Sequence, residues 1–338
     1  DCWGYVAPDG TEYALVGVQN GVSIVSLADP TAAEELFFIN GIRSTWRDMK
    51  TFGEYAYVTN ESGDGVMVID MSQLPDNISF TNYVVPMPGG NGQINRCHNL
   101  FIDSTGHIYL TGCNVNSGGI VILDATANAE EPPVIALGPA FYSHYIFTLG
   151  YFMYTSEIYA GEMGIYDISV LSNIREVSRR QTPFQFTHNA WTTSDGNYVF
   201  TTDERANAYV AAYDITDKSD IVFLDQHRPL ETEGNGVIPH NVHVTKDNFL
   251  VTSHYTDGVI IVDANRPSNL IEVGNYDTFN GPDGGFSGCW GAYPFLPSGI
   301  ILASDRQTGL YVLGAEYIRA CYLEGKVTDY ITGQPVFM

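Results

Sequence analysis

Positive charge is scarce in this sequence. Fifteen Lys and Arg stand against 39 Asp and Glu, a formal net charge of −24 over 338 residues. Phosphate or an anionic lipid surface would repel such a chain instead of rewarding it with counterion release, which excludes nucleic acid as a partner and leaves cations, metal ions and neutral ligands. No apolar run approaches the roughly 18 residues of a membrane-spanning helix, so direct membrane insertion is not expected. A basic-then-apolar leader is also missing, and Asp1 is read as a processed N-terminus. The five cysteines (Cys2, Cys97, Cys113, Cys289 and Cys321) show neither a CxxC nor a zinc-ribbon spacing. Without G-x-S-x-G, a Walker loop or HExxH, the local signatures of serine hydrolases, P-loop nucleotide binding and zincins are absent too, although a site assembled from distant segments is untouched by that.

What the chain has in quantity is Gly (34), Tyr (22) and Phe (17), the residues of turns and strands. They fall into a repeat. The segments 12–30, 54–72, 107–125, 151–169, 197–215, 248–264 and 299–315 each read strand, polar turn, strand, as in HIYLTGCNVNSGGIVILDA. Upstream of each lies a further strand opening on a tag: CWGYV, TWRDMK, CHNLFI, SHYIFT, THNAWT, PHNVHV and CWGAYPF. Downstream there is usually a fourth strand, such as NLIEVGNY. The tag residues Trp3, Trp46, His98, His144, His188, His240 and Trp290 are 43, 52, 46, 44, 52 and 50 residues apart, the period of four-stranded propeller blades. The expected fold is an all-β, seven-bladed β-propeller of four-stranded antiparallel blades over residues 1–318. Residues 319–338 change rhythm and are expected to be a linker and the first strand of a truncated β-sandwich module, continuing past Met338 in the natural protein.

In an antiparallel hairpin the start of the first strand lies beside the end of the second, so tags and second-strand ends should meet at one mouth of the channel. One ring is then Trp3, Asp48, His98, His144, His188, His240 and Trp290, with Asp48 preferred to Trp46 because it stands as far from Glu61 as His144 does from Glu157. The other ring is Gln19, Glu61, Cys113, Glu157, Asp203, His254 and Asp305. Imidazoles and carboxylates gathered in a partly dry mouth suit a divalent ion such as zinc, copper, iron or manganese. Candidate ligands are His98, His144, His188, His240, His254, Asp48, Glu61, Glu157, Asp203 and Asp305, with Trp3 and Trp290 as an apolar wall. Glu61, Glu157 or Asp203 beside a metal-bound water would serve as a general base. The structural alternative is that the histidines tie strands together by hydrogen bonds, as repeated residues often do. Their confinement to four adjacent blades argues for a site.

The same pairing sets Cys97 opposite Cys113, implying a disulfide and an oxidising compartment, with Cys113 as a metal ligand the competing reading. Loops 60–65, 231–236 and 280–285 are Asp- and Gly-rich; calcium there is one reading, turn chemistry the other.

The wording WGY…EYALVG…SIVSLADP, STWRDMK and CWGAYPFLPSG…ASDRQTGLYVL resembles the LVIVD-repeat propellers called choice-of-anchor B proteins over nearly all of residues 1–318. The tail, YLEGKVTDYITGQPV, is similar to the start of carboxypeptidase-regulatory-like modules. The resemblance implies a secreted or surface-tethered bacterial protein, anchored at the cell surface through a further C-terminal region, and no particular reaction; the expected partner is a protein, peptide or glycan ligand. Cys2 departs from the family, which more often has an aliphatic residue there, and its expected partner is Cys289 in the matching tag of the last blade, with Cys321 the alternative. The functional expectation is a binding or scaffold module holding a metal ion; the alternatives are a metal-dependent hydrolase or oxidase and a metal-free binder.

Overall fold

The computed structural model describes residues 1–338 apart from Asn91, Glu324, Lys326, Phe337 and Met338. Its strands form six antiparallel sheets of four and a last sheet of three, each in simple chain order, plus a two-stranded hairpin between the second and third blades. The seven innermost strands are Cys2–Val6, Met49–Phe52, Asn99–Ile102, Tyr145–Leu149, Thr187–Thr192, Val242–Val244 and Cys289–Tyr293. The fold is thus the all-β seven-bladed propeller that the period of about fifty residues demands. One detail differs: the seventh blade has only Cys289–Tyr293, Ile301–Asp305 and Gly309–Leu313 among the described residues.

Each blade packs on both faces against its neighbours, which explains why inner strands are apolar nearly throughout instead of alternating. Val66–Asp70 is buried at Val66, Met67, Val68 and Ile69, whereas the outer strand Ser79–Tyr83 is exposed along most of its length. Residues past the last strand run back over the sixth blade, where Arg319 and the Ala320 amide both bond the buried Asp263 carboxylate, at 2.7 and 2.9 Å. Further on, a single bridge joins Thr328 to Pro335. The proposed Gly325–Val327 opening of a new module includes Lys326, which lies outside the described residues.

The axis is filled. Two residues inside the position of Asn99, Asn189 or Asn241 on each inner strand stands a large side chain: Trp3, Lys50, Phe101, Phe147, Trp191, His243 and Tyr293. These meet across non-adjacent blades, Phe101 with Trp191 at 5.8 Å between ring centroids and Trp3 with His243 at 6.2 Å. Such contacts are possible only at the hub. Lys50 lies 4.3 Å over the Trp3 ring, a cation held by an aromatic face.

Candidate metal centre

Above this plug the tag histidines form an arc. Ring centroids are 4.0 Å apart for His98 and His144, 4.3 Å for His144 and His188, and 4.2 Å for His188 and His240, and Trp290 continues the series 4.8 Å from His240. The backbone explains their direction. His188 and Trp290 sit where the strand register slips by one residue, between Thr187 and Asn189 and between Cys289 and Gly291. A bulge of this kind turns an extra side chain off the pleat, here towards the axis.

Three of the four rings have a defined tautomer. Nδ1 of His188 faces the His240 carbonyl at 3.2 Å and Nδ1 of His240 faces the Trp290 carbonyl. Nδ1 of His98 faces the Glu61 carboxylate at 2.6 Å. Carbonyls and carboxylates only accept, so each Nδ1 carries a proton, and in the neutral rings of His188 and His240 Nε2 keeps a free lone pair. Burial foremost, then the neighbouring imidazoles, hold His144 and His240 well below the ordinary histidine range. His188 is also lowered, chiefly by burial, with Glu204 opposing the shift. These rings are therefore neutral at pH 7, the form that binds a metal.

The lone pairs of His188 Nε2 and His240 Nε2 converge on one carboxylate. Glu204 Oε2 lies 3.8 Å from His188 Nε2 and Glu204 Oε1 lies 3.8 Å from His240 Nε2, each too far for a hydrogen bond and within the about 4.2 Å that two ligand bonds of ~2.1 Å can span. Among the described residues, these three form the one group of His, Cys, Asp or Glu close enough to share an ion. Tyr255, kept protonated by burial and by the adjacent carboxylate, donates its hydroxyl to Glu204 Oε1 at 2.5 Å and fixes it. The neighbouring His144 has a buried Nδ1 with no partner. Below the arc lies a cavity of about 20 Å³ bordered by His98, His144, His188 and His240, room for about one water and no organic ligand.

Several sequence candidates stand elsewhere, for one reason. In the second blade Thr59 N–H bonds the Asp48 carbonyl, so Asp48 matches Asn99 and Asn241, and Arg47 takes the tag position. Asp48 is consumed by Lys50 Nζ at 2.7 Å and Asn99 Nδ2 at 2.5 Å. Trp3, by the same count, belongs to the plug, and the tryptophans that border the mouth cavity are Trp290 and Trp46. The second ring mixes two faces. Glu61 and Cys113 share a register with Glu204, while Glu157, Asp203, His254 and Asp305 sit one residue earlier and point away, since alternate strand residues face opposite sides. Glu157 holds Arg179; burial raises its pKa and Arg179 opposes this. Asp203 accepts from Thr182 Oγ1 and the Phe184 and Phe186 amides, and Asp305 from Thr278 Oγ1 and the Gln307 and Thr308 amides. His254 instead lies 3.5 Å from Asp257. Glu204 follows Asp203 directly, and the spacing that distinguishes them runs forward along the second strand: the residues that pair with the aspartates Asp70, Asp124 and Asp214 are Tyr55, His107 and Tyr198, and each stands equally far before Glu61, Cys113 and Glu204.

Cys97 and Cys113 form a disulfide, so Cys113 has no thiolate for a metal. Cys2 and Cys289 are separate buried thiols aimed at different carbonyls, those of Leu302 and Gly291, which corrects the expected seal between first and last blades; Cys321 is unpaired as well. Loop 60–65 is an Asx turn on Asn60 Oδ1, and loops 231–236 and 280–285 are joined by Asn235 Nδ2 to Asp283 Oδ2 at 2.7 Å. None of the three gathers a calcium-type cluster among the described residues.

Residues 45–79 and 246–278 match the LVIVD repeat. The chain carries LVIVD repeats. No curated protein matches it in sequence. Among solved structures this LVIVD-repeat propeller is similar to the periplasmic gluconolactonase PpgL of Pseudomonas aeruginosa, with 13% identity and a TM-score of 0.66 over 96% of this chain and 93% of that one. A Lactobacillus plantarum protein aligns at 12% identity and a TM-score of 0.67, covering 100% and 94% of the two chains. Kuenenia stuttgartiensis hydrazine synthase aligns at 15% and 0.65, covering 92% and 94%. Identities this low establish the shared propeller fold alone. No helix is long and apolar enough to cross a membrane among the described residues.

Proposed function

We propose that this LVIVD-repeat propeller is a secreted, surface-anchored binding or scaffold module that holds one divalent transition-metal ion at its mouth. His188 Nε2, His240 Nε2 and the Glu204 carboxylate would be its ligands. The observation that carries this is the placing of two neutral imidazoles at 3.8 Å from one buried-side carboxylate, with each Nδ1–H already committed to the next blade. The hydrogen bonds that the structural alternative requires are made as well, and they orient the rings as outer partners of metal-bound histidines do. The disulfide supports an oxidising compartment. A surface protein, peptide or glycan would be its partner.

Two histidines and a carboxylate leave one coordination position, which favours a metal-dependent hydrolase or oxidase as the second reading. Calorimetric titration of chelator-treated protein with Zn(II) and Co(II) decides. One ion per chain is expected, weakened by about 10- to 100-fold or more in Glu204→Gln and His240→Ala variants that retain the wild-type circular dichroism. Sub-stoichiometric uptake by the wild type, or uptake indifferent to both variants, would overturn the metal centre.

A further inference from the structure

A second concavity, far larger than the mouth, lies between the fifth and sixth blades. Its volume is about 900 Å³, within the range of ligand sites, and its walls come from the outer strand Val222–His227, the loop after it, and the start of Ile271–Tyr276. Seven carboxylates line it against one guanidinium, Arg228, which is already engaged with Glu233 and stacked on Tyr209. The floor is apolar at Ile260, Leu270 and Ile271, and Leu230 stands 80% exposed at the rim.

Two observations separate this groove from an ordinary acidic surface. Behind its wall His254 is 1% exposed with neither ring nitrogen hydrogen-bonded, and its Nδ1 is directed at the groove-lining Asp257, 3.5 Å from Oδ2. Asp257 itself is pushed up to about 6, by burial first and then by the nearby Asp283, Asp277 and Glu272, while Thr232 opposes. Glu233 is paired with Arg228, and Glu272 faces His227 Nε2 at 3.3 Å and accepts from Asn275; the carboxylates left over, above an apolar floor, make a surface suited to an incoming cation. The carboxylates are strung along the groove, and no three of them are close enough to share an ion among the described residues. An extended ligand with several charges fits that layout; a single calcium ion does not.

We propose that this groove binds a short Lys/Arg-rich peptide segment, its cationic side chains on Glu231, Glu272 and Asp277 and an apolar side chain against Leu230 and Ile271. Fluorescence anisotropy with a labelled peptide alternating Arg and Leu tests it, beside a Glu/Leu peptide, spermine and Ca²⁺ as competitors. Expected is saturable micromolar binding that falls at least about tenfold between ~0.05 M and ~0.5 M NaCl, and falls by a similar factor in Glu231→Gln/Glu272→Gln/Asp277→Asn. The control Asp76→Asn/Glu130→Gln/Glu131→Gln removes the same charge from exposed positions on other blades and should bind like wild type. Equal weakening in both triple variants would reduce the effect to net charge and overturn the site. Displacement by spermine at concentrations matching the peptide, or by stoichiometric Ca²⁺, would overturn the peptide as occupant.

Discussion

The histidines outside the candidate centre show most directly how burial sets chemistry here. His243, in the plug, and His254, behind the groove, are both lowered to about 3, with burial the largest cause in each. Their unfolded value is near 6.5. Below that the unfolded chain binds protons that the folded chain refuses, so the stability these residues confer is complete above pH ~6.5 and is lost as pH falls towards about 3. Once well inside that window each costs about 1.4 kcal/mol per pH unit. Urea midpoints measured between pH 7 and pH 4.5 should therefore decline with acidification, and His254→Asn should flatten the slope even if it lowers stability at pH 7. A midpoint unchanged over this range, or an unaltered slope in the variant, would show that these rings protonate freely in the native state.

At the scale of strands, the register of each hairpin decides which residues share a space. The disulfide is the clearest case, since Cys97 opens the third blade's tag and Cys113, 16 residues on, lies just past the end of its second strand, His107–Thr111. Closing a loop of about 15 residues is worth roughly 3 kcal/mol, so Cys97→Ser/Cys113→Ser should unfold at lower temperature by about that equivalent, and reductant should lower the wild type to match. A reductant-insensitive wild type would mean the bridge does not form. This pairing was legible from sequence because Cys97 opens a repeated tag and Cys113 follows the strand that pairs with it. The four histidines were legible for the same reason. Glu157, Asp203, His254 and Asp305 were not placed correctly, because the strands end in short polar runs of similar wording, TSE, TTD, TSH and ASD; Asp48 was set one residue off because its spacing to the inward Glu61 was matched to that of His144 to the outward Glu157. A one-residue error there exchanges the inner face for the outer one, and only hydrogen-bond register resolves it. Glu204 sits on the inner face for that reason, and Asp203 on the other.

For the whole molecule the central question is how the ring is closed. The repeat period made seven blades legible, but closure depends on what the first and last blades share, which periodicity does not encode. Among the described residues no strand from the N-terminus joins the three-stranded last sheet, and Cys2 and Cys289 are not bonded. The two blades meet by packing, with Tyr293 and Leu296 against Gly4 and Trp3, and by Ser298, which donates its amide and hydroxyl to Glu12 at 2.8 and 2.6 Å. Gly4 is required by contact and not by conformation: a Cβ there would lie 2.2 Å from Tyr293 Cε1 and 2.9 Å from Leu296 Cδ2. Those atoms belong to the plug and the seam, where they have little room to retreat. Gly4→Ala should thus destabilise by about 1–3 kcal/mol through overpacking, whereas Gly274→Ala, whose new methyl would find only Ile261 at an ordinary 3.7 Å, should be near neutral. Denaturant midpoints of the two variants measure this, and hydrogen exchange locates it, with accelerated exchange in Cys2–Val6 and Cys289–Tyr293 ahead of the fourth and fifth blades. Indistinguishable midpoints would mean that the seam yields freely, and that closure rests on contacts away from Gly4.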